Sequence, residues 1–526
     1  MSENNGKQFI NGQRVAANAP TIESINATDY QPTGYLFSQA TLDEVDQAAQ
    51  AAYQAFLKYQ HTTQQQRADF LDEIAIQIEN LGSKLQEVAA QETGLPLVRL
   101  QGETGRVTGQ LRLFAELLRR GDFYGARIDT ALPERKPLPR VDLRQYKIGV
   151  GPVAVFGASN FPLAFSTAGG DTVAALAAGC SVVFKAHSGH MATAELVAQA
   201  IEKAILNSGI PSGTFNMIFG SRVGANLVEH PLIQAAGFTG SLEGGMALFN
   251  LAQNRPQPIP FFAEMSSVNP VIVMPEALNA RGEKVAQDTV ASFNMGCGQF
   301  CTKPGLIIGI KSPAFDQFVT ALIDTTRTAV PQVMLNQGTL KSYQQGIDAL
   351  LNQQGFKCIA SGQAPELISQ AQPHLFQADQ SVLLLGNPKL QHEVFGPMSI
   401  VIAVDDEATL LSGLEKLAGQ LTATIIADES DLPHAKELLN LLTRKAGRVL
   451  FNGFPTGVEV SDAMVHGGPF PATSDSRGTS VGTGAIERFL RPVCYQNTSQ
   501  VLLPDALKDG NPLHITRLVN GVLTQN

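Results

Sequence analysis

Two cysteines separated by three residues lie in a glycine-rich stretch, residues 294–305, of a chain that contains five cysteines in all. A cysteine thiolate can attack an electrophilic carbon to form a covalent intermediate, and nearby glycines let a substrate or cofactor approach the backbone closely. Cys297 and Cys301 can equally be two small buried residues, because free cysteine packs as a modest hydrophobic side chain. These residues alone favour neither interpretation.

A second stretch could bind a phosphate-containing cofactor. At residues 237–245 a predicted strand leads through glycines into a predicted helix, so that backbone N–H groups and the helix N-terminus would face an anion. The spacing is not Gly-x-Gly-x-x-Gly, and an ordinary strand-to-helix turn explains it as well. Lys185 ends an earlier predicted strand, where its charge could meet a ribose or phosphate, although a lone lysine there is more often solvated.

The elements that must position these residues follow an α/β pattern with strands buried on both faces. Amphipathic helices are predicted at 42–59, 64–80, 84–92 and 97–120, the first after a Thr41 cap with Glu44 three residues on. Two series of strands are predicted, 153–156, 181–185, 214–219, 235–239 and 260–263, then 270–274, 306–310, 382–385, 399–404, 423–427 and 448–451. The sequence therefore predicts two α/β units that meet near 264–270.

Composition narrows the class of protein. A chain of 526 residues that is 44% hydrophobic and carries a net charge of -9 can bury a large core over two to four domains. Its lysines and arginines are scattered, so we expect neither nucleic acid nor an anionic membrane as a partner. The first eight residues do not resemble a signal peptide and no apolar stretch is long enough to span a bilayer, which predicts a cytoplasmic protein.

The cysteine count predicts free thiols in a reducing compartment, because five is an odd number in a long chain. We also expect no metal site. No second pair of cysteines follows Cys297 and Cys301, and no histidine lies close to them in sequence to complete a zinc site.

Several motifs in a fixed order resemble the NAD(P)-dependent aldehyde dehydrogenases over roughly residues 6 to 500. They are Asn160-Phe-Pro162, Lys185, Gly240-Ser241 with Gly245, Glu264 at a strand end, Gly298-Gln-Phe-Cys301, Glu393-Val-Phe-Gly-Pro397 and Asn452-Gly453. The resemblance implies a Rossmann-like cofactor domain, an α/β catalytic domain and a β-strand oligomerisation flap. One departure is Met265-Ser-Ser267, where the family usually has Leu-Gly-Gly.

The resemblance implies roles for three residues. Cys301 would be the nucleophile, giving a thiohemiacetal whose oxyanion meets the Asn160 amide and the Cys301 backbone N–H. Glu264 would activate the water that cleaves the resulting thioester, and its apolar surroundings predict a raised carboxyl pKa. Cys297 then becomes a packing residue or an oxidation-sensitive neighbour.

The resemblance also implies a cofactor site. The residues expected to contact the cofactor are Lys185, Ser188, Arg222, Gly240, Ser241, Gly245, Glu393 and Phe395. Ser188 stands where many NAD-preferring members carry a glutamate that would repel a 2′-phosphate, and Arg222 could pair with that phosphate. We therefore expect NADP to be preferred and NAD to work as well, while a solvated loop arginine remains the alternative for Arg222.

Within the family the motifs look most like the 2,5-dioxopentanoate (α-ketoglutarate semialdehyde) dehydrogenases, and a long-chain aldehyde branch looks similar. Arg106 and Phe161 are predicted to contact the substrate, with the Arg106 guanidinium clamping a distal carboxylate. Arg106 could instead point to solvent or pair with Glu103. A CoA-acylating enzyme and an idle family member are weaker alternatives, because Cys301, Asn160 and Glu264 are all present.

The domain limits expected from the resemblance are 1–130 and 150–266 for the cofactor domain, 267–475 for the catalytic domain, 131–149 and 476–500 for the flap, and 501–526 for a C-terminal extension. The flap would contain strands at 141–148 and 493–496, with an edge that needs a partner. We therefore expect a homodimer or homotetramer.

Overall fold

A computed structural model describes residues 5–525. Residues 1–4, on which the prediction of no signal peptide partly rests, and Asn526 lie outside the described residues. The α-helices are α1 (Leu42–Tyr59), α2 (Gln64–Glu79), α3 (Ser83–Thr93), α4 (Leu97–Arg120), α5 (Gly170–Ala177), α6 (Met191–Ser208), α7 (Val223–Glu229), α8 (Leu242–Asn254), α9 (Pro275–Asn294), α10 (Pro313–Thr328), α11 (Gln337–Leu351), α12 (Gln380–Leu384), α13 (Pro388–Gln391), α14 (Glu407–Glu415) and α15 (Leu432–Lys445).

The strands of residues 5–525 form three larger sheets and two antiparallel pairs, β3 with β4 and β14 with β16. They are β1 (Gln8–Ile10), β2 (Gln13–Val15), β3 (Thr21–Ile25), β4 (Pro32–Ser38), β5 (Arg127–Asp129), β6 (Leu143–Gly149), β7 (Val153–Phe156), β8 (Val182–Lys185), β9 (Phe215–Ile218), β10 (Ala235–Thr239), β11 (Phe261–Glu264), β12 (Pro270–Val273), β13 (Leu306–Ile310), β14 (Gln332–Val333), β15 (Phe356–Ser361), β16 (Gln370–Ala371), β17 (His374–Ala378), β18 (Met398–Val404), β19 (Gln420–Ile426), β20 (Ala446–Phe451), β21 (Leu490–Gln496), β22 (Arg517–Val519) and β23 (Val522–Thr524).

The four predicted N-terminal helices are confirmed to within a residue or two. The predicted start of α1 is also confirmed, because Thr41 Oγ1 accepts a hydrogen bond from the Glu44 N–H and Glu44 Oε2 accepts one from the Thr41 N–H. Strands β1 to β4 were not predicted, because they are short and their apolar residues follow no regular pattern.

The first sheet has the order β11-β10-β7-β8-β9-β1-β2. Its first five strands run parallel, and β1 and β2 add an antiparallel edge. All four residues of β7 and of β9 are buried, as expected for strands covered by helices on both faces. The parallel strands place their carboxyl ends at one edge, where α/β sheets bind ligands.

The second sheet has the order β15-β17-β18-β13-β12-β19-β20 and is parallel except for β15. The predicted strand at 382–385 is wrong, because its first three residues belong to α12 and Leu385 is the C-cap of that helix, before Gly386 at φ 61°. A short apolar run cannot distinguish a buried strand from a buried helix. The strands that occupy this side of the sheet are β15 and β17, which were not predicted.

The third sheet has the order β21-β6-β5-β22-β23 and contains both predicted flap strands. The sheet also contains β5, which we expected in the cofactor domain. It further contains β22 and β23, which we expected in the C-terminal extension. Strand β21 pairs only with β6 among the described residues, so one edge is open. The domain limits and the homo-oligomer stay predictions.

No helix of residues 5–525 is long and apolar enough to cross a membrane. The cytoplasmic location stays a prediction.

Asn269 immediately precedes β12 and ties the segment of Cys301 to the second sheet. Its Nδ2 donates to the carbonyl oxygens of Cys301 at 2.8 Å and Lys303 at 2.9 Å, and its Oδ1 accepts from the Thr422 hydroxyl at 3.0 Å. Its backbone is left-handed at φ 48°, a conformation that asparagine tolerates better than most residues. One buried side chain therefore holds the segment of Cys301 against the second sheet.

Replacing Asn269 with Gly is expected to lower the free energy of unfolding by about 3 kcal/mol, because two buried carbonyls and a threonine hydroxyl lose their partner. N269A should cost about 1 kcal/mol more, since alanine also strains the left-handed backbone. Urea denaturation measures both. N11G is the matched control, because Asn11 is left-handed at φ 53° but exposed. An N269G variant as stable as N11G would contradict this role.

Candidate active site

A cleft of about 1500 Å³ opens at the carboxyl edge of the first sheet. Residues that follow β7, β8, β10 and β11 line one side, and α11 with the segment before β18 lines the other. The predicted residues that line it are Asn160, Ser188, Gly240, Ser241, Glu264, Cys301, Glu393 and Phe395. The fold therefore brings together side chains that are more than 200 residues apart in sequence.

Cys301 lies beyond a tight turn at Met295–Gly298 and is only partly buried, although its thiol faces a desolvated site. Its Sγ lies 3.3 Å from His466 Nε2. Burial raises the thiol pKa well above its usual value, and the negative charge of Glu264 raises it further. The thiol is therefore protonated at neutral pH until a proton acceptor removes its proton.

Glu264 ends β11 and is buried. Its Oε1 lies 2.9 Å from His466 Nε2, and its Oε2 accepts a hydrogen bond of 2.5 Å from the Ser480 hydroxyl. The predicted rise in its pKa is wrong. Burial does push the pKa up, but His466 and the hydrogen bonds from His466, Ser480 and Cys301 outweigh burial and lower it.

His466 was missed by the sequence analysis. It is buried, and its backbone N–H donates to the Thr479 hydroxyl oxygen at 2.8 Å. We expected no metal site because no histidine is close to Cys301 in sequence, but the fold places Glu264, Cys301 and His466 with their ligand atoms within 4.8 Å of one another. The sole sequence signal was an isolated histidine before Gly467 and Gly468.

Asn160 is buried beside the nucleophile segment. One N–H of its amide donates to the Gln299 carbonyl at 3.0 Å, which leaves the second N–H for the cleft. Its own backbone carbonyl accepts from Arg99 Nη2 at 2.7 Å. Arg99 also lies over the rings of Phe161 and Phe300, which follow Asn160 and precede Cys301.

The cofactor residues occupy the strand ends. Gly240 and Ser241 immediately precede α8, and Ser241 is its N-cap, with its hydroxyl accepting from the Gly244 N–H at 3.2 Å. A Cβ on Gly245 would lie 2.8 Å from the Met265 side chain, so glycine is needed for that close approach. Glu393 lines the cleft, and burial raises its carboxyl pKa to about 7 against the opposing charge of Lys303.

Lys185 and Arg222 lie at the same sheet edge but outside the lining of the cleft. Lys185 pairs in register with Ile218 of β9, and burial lowers its pKa to about 8. Arg222 is exposed at the start of α7. Ser188 is exposed and lines the cleft.

Arg106 lies on α4, close enough to Cys301 for the two groups to interact electrostatically. Its guanidinium lies over the rings of Phe161 at 5.6 Å and Phe165 at 5.3 Å, and the Phe165 ring lies 6.1 Å from His466. Among the described residues it forms no ion pair, because Glu103 Oε1 instead accepts from two backbone N–H groups. The alternatives of a solvent-facing or Glu103-paired Arg106 are therefore not observed.

Comparison with known proteins agrees with this geometry. A model of the aldehyde dehydrogenase family matches residues 15–470, most of the chain. The chain belongs to the aldehyde dehydrogenase family. It is 99% identical over 526 residues to the alpha-ketoglutaric semialdehyde dehydrogenase of Acinetobacter baylyi, with all of both chains covered.

A further relative is the alpha-ketoglutaric semialdehyde dehydrogenase 2 of Azospirillum brasilense, which is 50% identical over 98% of this chain and 99% of its own. Among solved structures, a point mutant of betaine aldehyde dehydrogenase from Staphylococcus aureus in complex with NAD+ has a TM-score of 0.81 at 22% identity, covering 95% of this chain and 99% of that one. The predicted family and fold class are confirmed, and the roles of the individual site residues stay predictions.

In this aldehyde dehydrogenase, Cys297 is turned into the core. It is fully buried in a left-handed conformation at φ 60°, and its thiol donates to the Gln332 carbonyl at 3.1 Å. Burial raises its pKa to about 12. These contacts favour a packing role for Cys297.

Replacing Glu264 with Gln should accelerate alkylation of Cys301 by iodoacetamide near neutral pH by about threefold or more, because a charge that disfavours the thiolate is removed. The pH profile of alkylation should move to lower pH. Peptide mass spectrometry resolves each thiol, and the exposed Cys494 is an internal reference. E243Q is the matched control, since Glu243 is an exposed carboxylate in the same cleft. An unchanged Cys301 rate in E264Q would contradict the electrostatic coupling.

Proposed function

We propose that this aldehyde dehydrogenase oxidises 2,5-dioxopentanoate, which is α-ketoglutaric semialdehyde, to 2-oxoglutarate and prefers NADP. The observation that carries the proposal is the Arg106 guanidinium, which lies over Phe161 and Phe165 without a carboxylate partner among the described residues. A short substrate with a distal carboxylate would supply that partner. The names of the Acinetobacter and Azospirillum relatives support the same substrate.

The chemistry of the proposed reaction begins at Cys301. The thiol loses its proton, and the sulfur attacks the aldehyde carbon to form a thiohemiacetal oxyanion. The free N–H of the Asn160 amide and the Cys301 backbone N–H would donate to that oxygen. NAD(P), when bound, supplies the hydride acceptor that turns the adduct into a thioester.

Two groups lie within reach of the thiol proton. His466 Nε2 is 3.3 Å from the sulfur, and the Glu264 carboxylate lies just beyond the same nitrogen. Because the pKa of Glu264 is lowered, the free carboxylate is the dominant form at neutral pH. Glu264 can then take a proton from the water that attacks the thioester, and the thiolate leaves as the carboxylate product forms.

The residues at the sheet edge fit a dinucleotide. The N-terminus of α8 and the backbone of Gly240 and Ser241 would hold the phosphates, and Glu393 would accept hydrogen bonds from ribose hydroxyls. Ser188 offers a hydroxyl where a carboxylate would repel a 2′-phosphate, and Arg222 lies at the same edge. The Staphylococcus structure contains NAD+, which is a cofactor of that protein. The proposed preference of this chain for NADP therefore rests on Ser188 and Arg222.

S188E should lower kcat/KM for NADP by about 10- to 100-fold and change kcat/KM for NAD less, because a carboxylate repels the extra phosphate. S188A is the matched control, since it removes the hydroxyl without adding charge and should have a smaller effect. R222Q should also lower kcat/KM for NADP more than kcat/KM for NAD. Steady-state kinetics with both cofactors measure these values. Equal losses with NADP and NAD would contradict the assignment.

R106M should raise KM for 2,5-dioxopentanoate by about 10- to 100-fold and leave KM for a long-chain aldehyde nearly unchanged, since the dioxo acid carries a distal carboxylate and the long-chain aldehyde does not. Kinetics with 2,5-dioxopentanoate, succinic semialdehyde and a long-chain aldehyde measure the difference. R112M is the matched control, because Arg112 lies on the same helix and pairs with Glu79 at the surface.

Equal effects of R106M on all three substrates would contradict a carboxylate clamp. A native enzyme that prefers the long-chain aldehyde would favour the alternative branch of the family. Turnover that requires CoA would contradict hydrolysis through Glu264 and favour the acylating alternative.

A further inference from the structure

Three different metal-ligand atoms converge beside the cleft. The Cys301 sulfur, the His466 imidazole nitrogen and a Glu264 carboxylate oxygen lie within 4.8 Å of one another. We propose that this cluster binds a zinc ion reversibly through Cys301 Sγ, His466 Nε2 and Glu264 Oε1, and that the bound ion blocks the nucleophile. The binding itself does not depend on which aldehyde the enzyme oxidises, whereas inhibition rests on Cys301 as the nucleophile.

The observed spacing is close to that of a zinc site. Tetrahedral coordination at usual zinc bond lengths places a sulfur and a nitrogen ligand about 3.6 Å apart, and a nitrogen and an oxygen ligand about 3.3 Å apart. In this structure the corresponding distances are 3.3 Å and 2.9 Å. Side-chain movements of a few tenths of an ångström would bring these two pairs to zinc spacing, and the Cys301 and Glu264 ligand atoms already lie within 4.8 Å of each other.

The electrostatics of the cluster also favour a divalent cation. Without a metal, a thiolate and a carboxylate within 4.8 Å of each other in a buried site would repel each other. A zinc ion bound by one thiolate, one carboxylate and one neutral imidazole gives a site with no net charge. Binding releases the thiol proton to solvent, and the imidazole binds through the Nε2 lone pair with its proton on Nδ1.

The residues around the cluster determine how a zinc ion reaches it and how tightly the ion binds. Cys301 and Glu264 line the cleft, so the ion can enter from it and keep an open fourth position for water. Ser480 already holds Glu264 Oε2, which orients Oε1 toward His466. However, His466 Nδ1 is buried with no hydrogen-bond acceptor in the part of the chain that the structure describes, and zinc-bound histidines usually have one. This missing contact is consistent with a reversible inhibitor instead of a resident cofactor.

Isothermal titration calorimetry of the full-length enzyme with Zn²⁺, without aldehyde or cofactor, tests the proposal. We expect one ion per chain, and binding at least about tenfold weaker in each of C301A, H466Q and E264Q, since each removes one ligand. C297A is the matched control, because Cys297 is buried away from the cluster and should leave zinc binding unchanged. Co²⁺ should give the thiolate-to-metal charge-transfer absorption in the native enzyme and in C297A, and lose it in C301A.

Zinc binding that is lost in C301A but unchanged in both H466Q and E264Q would overturn the proposal, because a simple thiol adduct would explain it. An absence of zinc binding to the native enzyme would also overturn it. Circular dichroism and NADP binding establish that each variant is folded. Neither readout depends on turnover, so failure of this proposal is distinguishable from failure of the proposed substrate.

Discussion

The site depends on a small set of buried hydrogen bonds that tie the segment before β12 and the segment of Cys301 to the second sheet. Asn269 at the start of β12 donates to the carbonyls of Cys301 and Lys303, while the Gln420 side-chain oxygen accepts from the backbone N–H groups of Val268 and Asn269. An unpaired buried carbonyl or amide costs about 1 to 3 kcal/mol, so this junction tolerates few alternative arrangements. Because Glu264 lies five residues before Asn269, the same junction fixes the carboxylate and the nucleophile relative to each other.

The pKa values of the site residues depend on which buried groups lie next to one another. A carboxylate alone in an apolar pocket has a raised pKa, and Phe261-Phe-Ala-Glu-Met265 suggested that situation for Glu264. The folded chain instead supplies His466 and Ser480, which favour the charged form. The negative charge of the same carboxylate raises the pKa of the Cys301 thiol and so disfavours its thiolate.

The parts of the fold with strong local signals could be predicted from sequence. Helices α1 and α4 show clear periodicity, and β7, β10 and β13 are apolar runs bounded by turns, so their predicted limits agree with the structure. The run Val382–Leu385 fails because four apolar residues carry no period. Strand β22 was not predicted, because its pairing with β5 is set by contacts almost 400 residues apart in sequence, and β23 pairs with β22 alone among the described residues.

The residues of the candidate site also fall into those that the sequence could identify and one that it could not. Residues within short motifs, such as Cys301, Asn160 and Glu264, were identified through a resemblance and are found around one cleft. His466 could not be identified, because an isolated histidine has no sequence pattern and gains meaning only from its neighbours in space. Its absence from the sequence analysis also explains the wrong direction of the Glu264 pKa, since the partner that lowers that pKa was unknown.

The position of Arg106 shows how a buried cation can be retained without a permanent counter-charge. Burial lowers the pKa of its guanidinium, while Glu103, Cys301 and Glu264 act in the opposite direction. The faces of Phe161 and Phe165 offer partial compensation through cation–π contacts, worth up to about 2 kcal/mol each when desolvated. A full ion pair formed within the protein would be more stable, but it would leave no unpaired charge for a ligand. The enzyme thus carries a desolvated cation near its nucleophile, and a substrate carboxylate that pairs with it would gain binding energy that an alkyl chain could not.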